Sequence, residues 1–512
     1  MQGHHTPQSS LFTYVDIAEL VPETHLLRLI DKHVDLSFVR ALTKKFYCEK
    51  GGRPSIDPQV YFRMQIISYL YGIASERQLC EEIQVNLAYR WFLGYSLEEQ
   101  IPDHSTLSKI RLRLGEESYR EIFEGIVEMC MQQGLVAGRQ IISDATYIQA
   151  NASFESMVKR ESDDTGAQGA QESQQEQGPE GSKKKKELRS NETHVSATDP
   201  DCSMVANVRA PVRNKLWYKA HYSIDGDHRI ITDCHVTTGS RHESQVLTER
   251  IEYQLQRFGL PIEELIADSG YGSGQSYAYC EKQGICSYIP LHKVGRGARD
   301  VAEEGFSYNP DSDSYCCPEG HELRRFNRPG ARCIKRYRPS GKACGVCRRR
   351  SECLPTATAH YRVINRNPNQ DELEAVRKRQ STEYFKSKLR QRSWKIEGLF
   401  GEAKEKHNLR RAKYRRLSNI RIQVYLTATV QNLKRLAAFF FLYLLEYLHR
   451  FFSTARYELY KTLTPIFRPP EQSDQAGILR AARAVSSIVR FVLFAIRCSS
   501  YASGGSLCEA VT

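Results

Sequence analysis

At 512 residues the chain is too long for one ordinary domain and long enough to bury several cores. Its 73 lysines and arginines outnumber 60 acids, for a net charge of +13, which favours a polyanionic partner, DNA or RNA, over an acidic small molecule. The opening residues Met1–His5 lack the charged and apolar regions of a signal peptide. Fifteen cysteines, an odd number without an export signal, therefore read as reduced thiols in a cytoplasm and exclude a disulfide scaffold.

A first domain, 10–135, reads as helical. Between Pro58 and Gly72 the apolar stripe Val60, Met64, Ile67 and Tyr71 has the helical period. Ser75 opens a second helix with Leu79 and Ile83 inward. After Pro102-Asp103-His104, Ser105 or Thr106 can cap a third, apolar at 107, 110 and 114 and basic on its other face. Short helices with tight connections and a basic face suit a helix-turn-helix DNA reader, or equally an ordinary helical bundle.

From Gly138 the period becomes strand-like. The apolar run 140–144 ends in Asp144. Residues 216–224 and 229–236 flank the turn Asp225-Gly226-Asp227-His228, a hairpin signal. A helix from about His242 to Phe258 follows, then Leu265-Ile266-Ala267 ending in Asp268, then a helix from about Ser273 to Gln283. Strand, hairpin, helix, strand, helix is the order of a mixed α/β sheet of ribonuclease H-like type, and it occupies 136–290. The stretch 155–200, rich in Gln, Glu, Ser, Gly and Lys with the run Lys183–Lys186, is expected to be a disordered surface loop.

Three acids stand out. Asp144 and Asp268 sit at strand ends, and Glu397 lies in a late, basic helical pattern (381–440). Such carboxylates can hold two divalent metals for phosphodiester chemistry. Glycines at 270 and 272 give Asp268 room for close approach by phosphate or metal. Asp225, Asp227 and Asp233 are rivals for the second position; the first two suit turn formation, and Asp233 is mid-strand. The block Lys386–Arg416 holds twelve Lys or Arg against Glu397, Glu402 and Glu405. With Trp394 and Phe400 docking the helix on the sheet, those cations would flank the metal site where phosphates arrive.

Residues 291–380 form a cysteine-containing insertion. Cys317, Cys344, Cys347 and Cys353 are the most economical set of tetrahedral Zn²⁺ ligands, with Cys316, His321 and Cys333 as substitutes; the alternative is reduced thiols in a loop. The apolar run Leu436–Phe452 is shorter than a membrane span and is broken by Glu446, His449 and Arg450, so it reads as a buried helix. The tail 441–512 reads as helical, without an assigned role.

Several runs, in order, resemble the bacterial insertion-sequence DDE transposases. They are Ser143–Ala152, Thr198-Asp199-Pro200-Asp201, Tyr218-Lys219-Ala220-His221, Ala267–Tyr271, Glu397-Gly398-Leu399-Phe400-Gly401 and Gln431–Leu436. The N-terminal runs Gly52–Pro58 and Ile101–Leu107 look like that family's N-terminal domain. The resemblance spans about 10–440. It implies a ribonuclease H-like core with Asp144, Asp268 and Glu397 as the Mg²⁺ (or Mn²⁺) triad, two ions, and a nucleoid-associated homo-oligomer. It also implies double-stranded DNA, terminal inverted repeats and target, as partner. Related chains often carry Tyr and Arg seven and four residues before the Glu and Lys seven after. Here Lys404 matches, Arg390 and Ser393 do not, and Arg392 is one residue, about 100° of helix, off register. Lys404, Arg410 and Arg411 are the cations expected on DNA. An inactive DNA-binding protein and a nuclease without strand transfer are the rival functions.

Overall fold

The computed structural model describes residues 16–48, 51, 55–160, 189–205, 215–291, 301, 304–326, 335–341, 343–354, 356 and 358–463, with side chains of the final helix described to Leu442. The run Lys183–Lys186, Cys333 and the tail beyond 463 lie outside these residues. The chain divides into one compact unit ending at Leu436 and another beginning at Ala437.

The first unit opens with helices α1 (Ile17–Leu20), α2 (Leu26–His33), α3 (Phe38–Thr43), α4 (Pro58–Leu70), α5 (Glu76–Val85), α6 (Leu87–Leu93) and α7 (His104–Gln132). Helix α4 starts at a proline, with the Asp57 carboxylate accepting from the Gln59 N–H at 2.9 Å. Of its expected stripe only Met64 and Ile67 are buried. Packing against α3, α5 and α6 also buries Tyr61, Ile66 and Tyr69, so the helix is enclosed on most sides. Leu79 and Ile83 of α5 are buried as read from sequence, as are Leu107, Ile110 and Leu114 of α7. The cap of α7 is Asp103, whose carboxylate accepts from Ser105, because the residue after Pro102 is held extended while Ser105 is already inside the helix. Arg111 departs from the basic outer face: it turns inward and pairs with Glu76 of α5.

The central sheet follows. Strands β1 (Gln140–Gln149), β4 (Trp217–Asp225), β5 (Ile231–Thr238), β6 (Glu264–Ala267) and β7 (Cys286–Tyr288) lie in the order β5-β4-β1-β6-β7. The hairpin β4–β5 and the pair β1–β4 are antiparallel; β6 and β7 join parallel to β1. Helices α8 (Leu247–Phe258) and α9 (Gly274–Lys282) make the parallel crossovers and share one apolar core with β1 and β6, including Ile141, Ile251, Leu265 and Tyr277. The stretch 155–200 is ordered at both ends: β2 (Met157–Lys159) pairs with β3 (His194–Ser196), because Val158 and Val195 have backbone partners in each other's strand.

A second, antiparallel sheet, β8 (Ser307–Asn309), β9 (Ser314–Cys316), β10 (Glu322–Phe326), β11 (Lys335–Pro339) and β12 (Ile364–Arg366), surrounds a core of Phe306, Tyr315, Leu323, Tyr337 and Ile364. After it come the short α10 (Arg350–Cys353, between β11 and β12), α11 (Gln370–Gln380), α12 (Glu383–Lys406) and α13 (Leu417–Leu463). The apolar run from Leu436 is part of α13, and no described helix is long and apolar enough to cross a membrane.

Helix α13 closes the outer edge of the central sheet through one side chain. Asn432 accepts from the Ile231 N–H and donates to the Ile231 carbonyl, both at 2.8 Å, so β5 exposes no unpaired groups there. Asn432→Ala is predicted to leave both backbone groups buried and unpaired and to destabilise the fold by roughly 2–4 kcal/mol, measured by denaturant unfolding. Wild-type stability would show the edge is held by other contacts.

Candidate active site

Strand β1 runs parallel to β6, in register up to Ser143 opposite Ala267. Asp144 and Asp268 each stand one residue past that last pair, which makes the two carboxylates neighbours where β6 ends; Asp144, expected at a strand end, lies mid-strand, because β1 runs on to Gln149 paired with β4. Asp268 begins the turn Ser269–Tyr271 without capping it, so its side chain is left facing outward. On the other flank Asp144 is the cross-strand partner of Tyr222, and the Tyr222 ring packs on Phe400 with centroids 5.0 Å apart. That contact seats α12 on the sheet at the level of Asp144. Ile396, Leu399, Phe400 and Ala403 form its buried face, and Glu397 is left half-exposed beside the acids. Trp394, expected to help dock the helix, instead points outward, since its position lies off that apolar face.

Arg392 links two of the three acids directly. One guanidinium nitrogen lies 2.5 Å from the Asp144 carboxylate and the other 3.8 Å from Glu397. Although Arg392 is one residue off the register of related chains, its long side chain reaches back along the helix to a site offset from its own Cα. Burial pushes the Asp144 carboxyl up to about 6; Arg392 and the Ala145 N–H pull it down, while the charges of Asp268 and Glu243 push it further up. No three His, Cys, Asp or Glu side chains among the described residues stand close enough together to share one ion. Asp144, Asp268 and Glu397 are nevertheless hard oxygen donors, two of them already paired with one cation, and such a donor set suits Mg²⁺ or Mn²⁺.

Glu243 escaped the sequence reading. It follows β5 in a single helical turn, and a Cβ added to Gly270 would collide with its carboxylate. The room expected beside Asp268 at Gly270 and Gly272 is therefore occupied, by Glu243 and by the Tyr277 hydroxyl respectively. Lys219, from the run Tyr218–His221, holds Glu243 at 3.1 Å. His221 contacts the Tyr271 hydroxyl at 3.0 Å and Thr237 at 3.1 Å, and burial keeps its ring well below the ordinary histidine range, hence neutral. The only sequence signal for Glu243 was its place just after a strand, a weak one.

The rival acids have structural work. Asp225 accepts from the N–H groups of Gly138, Asp227 and His228, which builds the hairpin turn. Asp233 is buried and takes Arg250 at 2.5 and 2.9 Å. Of the expected DNA contacts, Lys404 is partly buried, and burial with Arg410 nearby lowers its ammonium. Arg410 is exposed and paired with Glu405, and Arg411 is exposed and donates to Asn151 at 3.2 Å. The cysteines Cys317, Cys344, Cys347 and Cys353, with His321, line one cavity of about 310 Å³ beside the Arg362–Glu304 pair. At its rim Cys317 accepts from the His321 N–H at 3.3 Å, in a turn closed by the Gly320 N–H on the Cys317 carbonyl, with Gly320 at φ +78°. Burial raises the Cys353 thiol, and Cys344 and Cys347 are close enough to add to the rise.

Comparison with known proteins gives the class first. The family model described as Transposase domain (DUF772) matches residues 15–113, the helical N-terminal region. The family model described as Transposase DDE domain matches 316–437, which includes Glu397 and Arg392 on α12. The chain thus carries a transposase DDE domain and serves DNA transposition, as an enzyme that cleaves DNA and transfers the strand. Asp144 and Asp268 lie between the two matched segments. No curated protein sequence matches the chain. Among solved structures, a piggyBac transposase synaptic complex with hairpin DNA aligns at 9% identity and TM-score 0.31, over 80% of this chain and 73% of that one. A pre-cleavage Mos1 transpososome aligns at 9% identity and TM-score 0.16, over 48% and 63%. At those scores neither carries an argument about this chain.

Asp233→Ala is predicted to cost about 3–5 kcal/mol in denaturant unfolding, because it strands the buried Arg250 charge. An unchanged unfolding midpoint would return Asp233 to the set of candidate catalytic acids.

Proposed function

We propose that Asp144, Asp268 and Glu397 are the catalytic triad of this transposase, on a sheet of ribonuclease H-like type. The observation that carries the reading is the ion pair of Arg392 with Asp144, with Glu397 at its other nitrogen: acids from distant parts of the sequence meet at one cation beside Asp268. The strand order β5-β4-β1-β6-β7, antiparallel then parallel, with one acid in the middle of β1 and the other just past the end of β6, supports the fold assignment. Two Mg²⁺ ions, or Mn²⁺ in their place, would be held by the triad and would supply an activated water or hydroxyl and a neutralised leaving oxygen. Arg392 counters the Asp144 charge before substrate arrives and swings away as the acids take up their ligands. Lys219 fixes Glu243, and the neutral His221 with Tyr271 forms a hydrogen-bonded floor beneath the acids. Lys404, Arg410 and Arg411 meet phosphates, which carry no sequence information, while the N-terminal domain (10–135) reads the terminal repeats. Two element ends must be joined, so the working form is a homo-oligomer on DNA in the nucleoid.

Asp144→Asn, Asp268→Asn and Glu397→Gln are each predicted to slow end cleavage by roughly a hundredfold or more while DNA binding stays unchanged, because charge is removed from the metal site and not from the basic surface. Cleavage at the wild-type rate by any of the three would remove that residue from the triad.

The module of 291–380 is proposed to carry one structural Zn²⁺ on Cys317, Cys344, Cys347 and Cys353, which line one cavity here and would draw together to ligate the ion. Among the described residues its core has five buried side chains, small for an independent fold, and such modules are commonly stapled by metal. Protein purified without chelator should hold about one Zn²⁺ per chain by elemental analysis, and the double variant Cys344→Ser/Cys347→Ser should hold none. Metal-free wild-type protein would leave the cavity as reduced thiols.

A further inference from the structure

Segment 409–416, which follows the helix bearing Glu397, is stitched to the far end of the strand bearing Asp144. The Gln149 N–H donates to the Arg410 carbonyl at 3.1 Å, and the Ala412 N–H donates to the Gln149 carbonyl at 2.8 Å. The stitch fixes Arg411 and Arg415 opposite Lys215, around an open cleft of about 480 Å³ that is also lined by Gln149, Asn151 and Phe154. Among the described residues no acid lines this cleft. Its cations rest on neutral oxygens: Lys215 on the Gln149 amide at 3.5 Å, Arg411 on the Asn151 amide at 3.2 Å and Arg415 on the Asn151 carbonyl at 3.3 Å. The neighbouring acids face elsewhere, Asp199 accepting from the Arg416 N–H and Asp201 from the Leu417 N–H. Three cations gathered around a cleft with no acid in its wall favour an anion from outside.

We propose that this cleft is a phosphate-backbone site for the DNA being cut, with Lys215 and Arg415 joining Arg411 as its contacts. Five strand residues separate Asp144 from Gln149, on the order of 17 Å, which equals the rise of about five base pairs. The cleft thus holds the DNA about five base pairs from the reacting phosphate, and the backbone stitch sets that spacing. This assignment rests on the triad reading for its distance from the chemistry, but not for the binding itself.

The test measures affinity of the full chain for a random-sequence duplex across a salt series, for wild type, Lys215→Ala/Arg415→Ala, Asp144→Asn and a control, Lys282→Ala. The double variant should flatten the log–log salt slope by about two, one for each phosphate-binding cation removed, with an unchanged melting temperature. Asp144→Asn should keep the wild-type slope, and so should Lys282→Ala, whose cation lies on α9. A wild-type slope in the double variant overturns the proposal, whatever the cleavage assays show of the triad. Flattening by about one in Lys282→Ala, the same loss per charge as in the double variant, also overturns it, by showing that only overall charge matters.

Discussion

Two carboxylates of like charge stand side by side because β1 and β6 run parallel and in register, and nothing in the backbone lets them part. Burial, with the charges of Asp268 and Glu243 adding to it against the pull of Arg392, drives the Asp144 carboxyl up to about 6. A site that concentrates negative charge in this way needs a cation, and α12 brings one in Arg392 together with the third acid, Glu397. The position of α12 follows in turn from Tyr222 on Phe400, a contact between the cross-strand partner of Asp144 and the residue three beyond Glu397. Charge crowding on the sheet and the docking of one helix are therefore a single arrangement.

The same helix is tied to the N-terminal helices. Beyond α12, His407 contacts the Tyr69 carbonyl at 2.8 Å, Lys413 donates to the Ile73 carbonyl at 2.6 Å, and Tyr414 donates to Glu76 at 3.2 Å. The Arg111 guanidinium lies 3.7 Å from the centre of the Tyr414 ring. Burial lowers the Lys413 ammonium to about 8, and Glu76 partly restores it. Glu402, five residues beyond Glu397, is held well below the ordinary carboxylate range, despite its burial, by His407, Arg435 and Lys434. Residues 402–414 thus join the α4–α7 helices, the helix bearing Glu397 and α13, so the N-terminal helices are mechanically continuous with the acids.

Much of this was legible in the sequence because it depends on period and on strand ends. Alternation placed β1, the β4–β5 hairpin and β6, and a carboxylate after each of two apolar runs singled out Asp144 and Asp268, although β1 runs on past Asp144 to Gln149. Spacing placed α5 and α7 with their inward residues. What the sequence hid depends on three-dimensional neighbours. Tyr61 and Tyr69 look like the outer face of α4 until helices enclose it on several sides. Asp233 looks like a possible catalytic acid until Arg250, seventeen residues on, neutralises it. Glu243 and Arg392 reach the site from turns and helix positions whose side-chain direction no periodicity encodes. The run Gln431–Leu436 could be recognised as a motif, but its physical role, an amide closing the edge of β5 and cations on Glu402, appears only in the packing.

The most direct test is a crystal of the protein with bound DNA and Mn²⁺, in which anomalous scattering locates the ions. The triad reading predicts peaks in contact with Asp144, Asp268 and Glu397, and Arg392 withdrawn from Asp144. Peaks elsewhere, or an Arg392 still paired with Asp144 beside bound substrate, would contradict it.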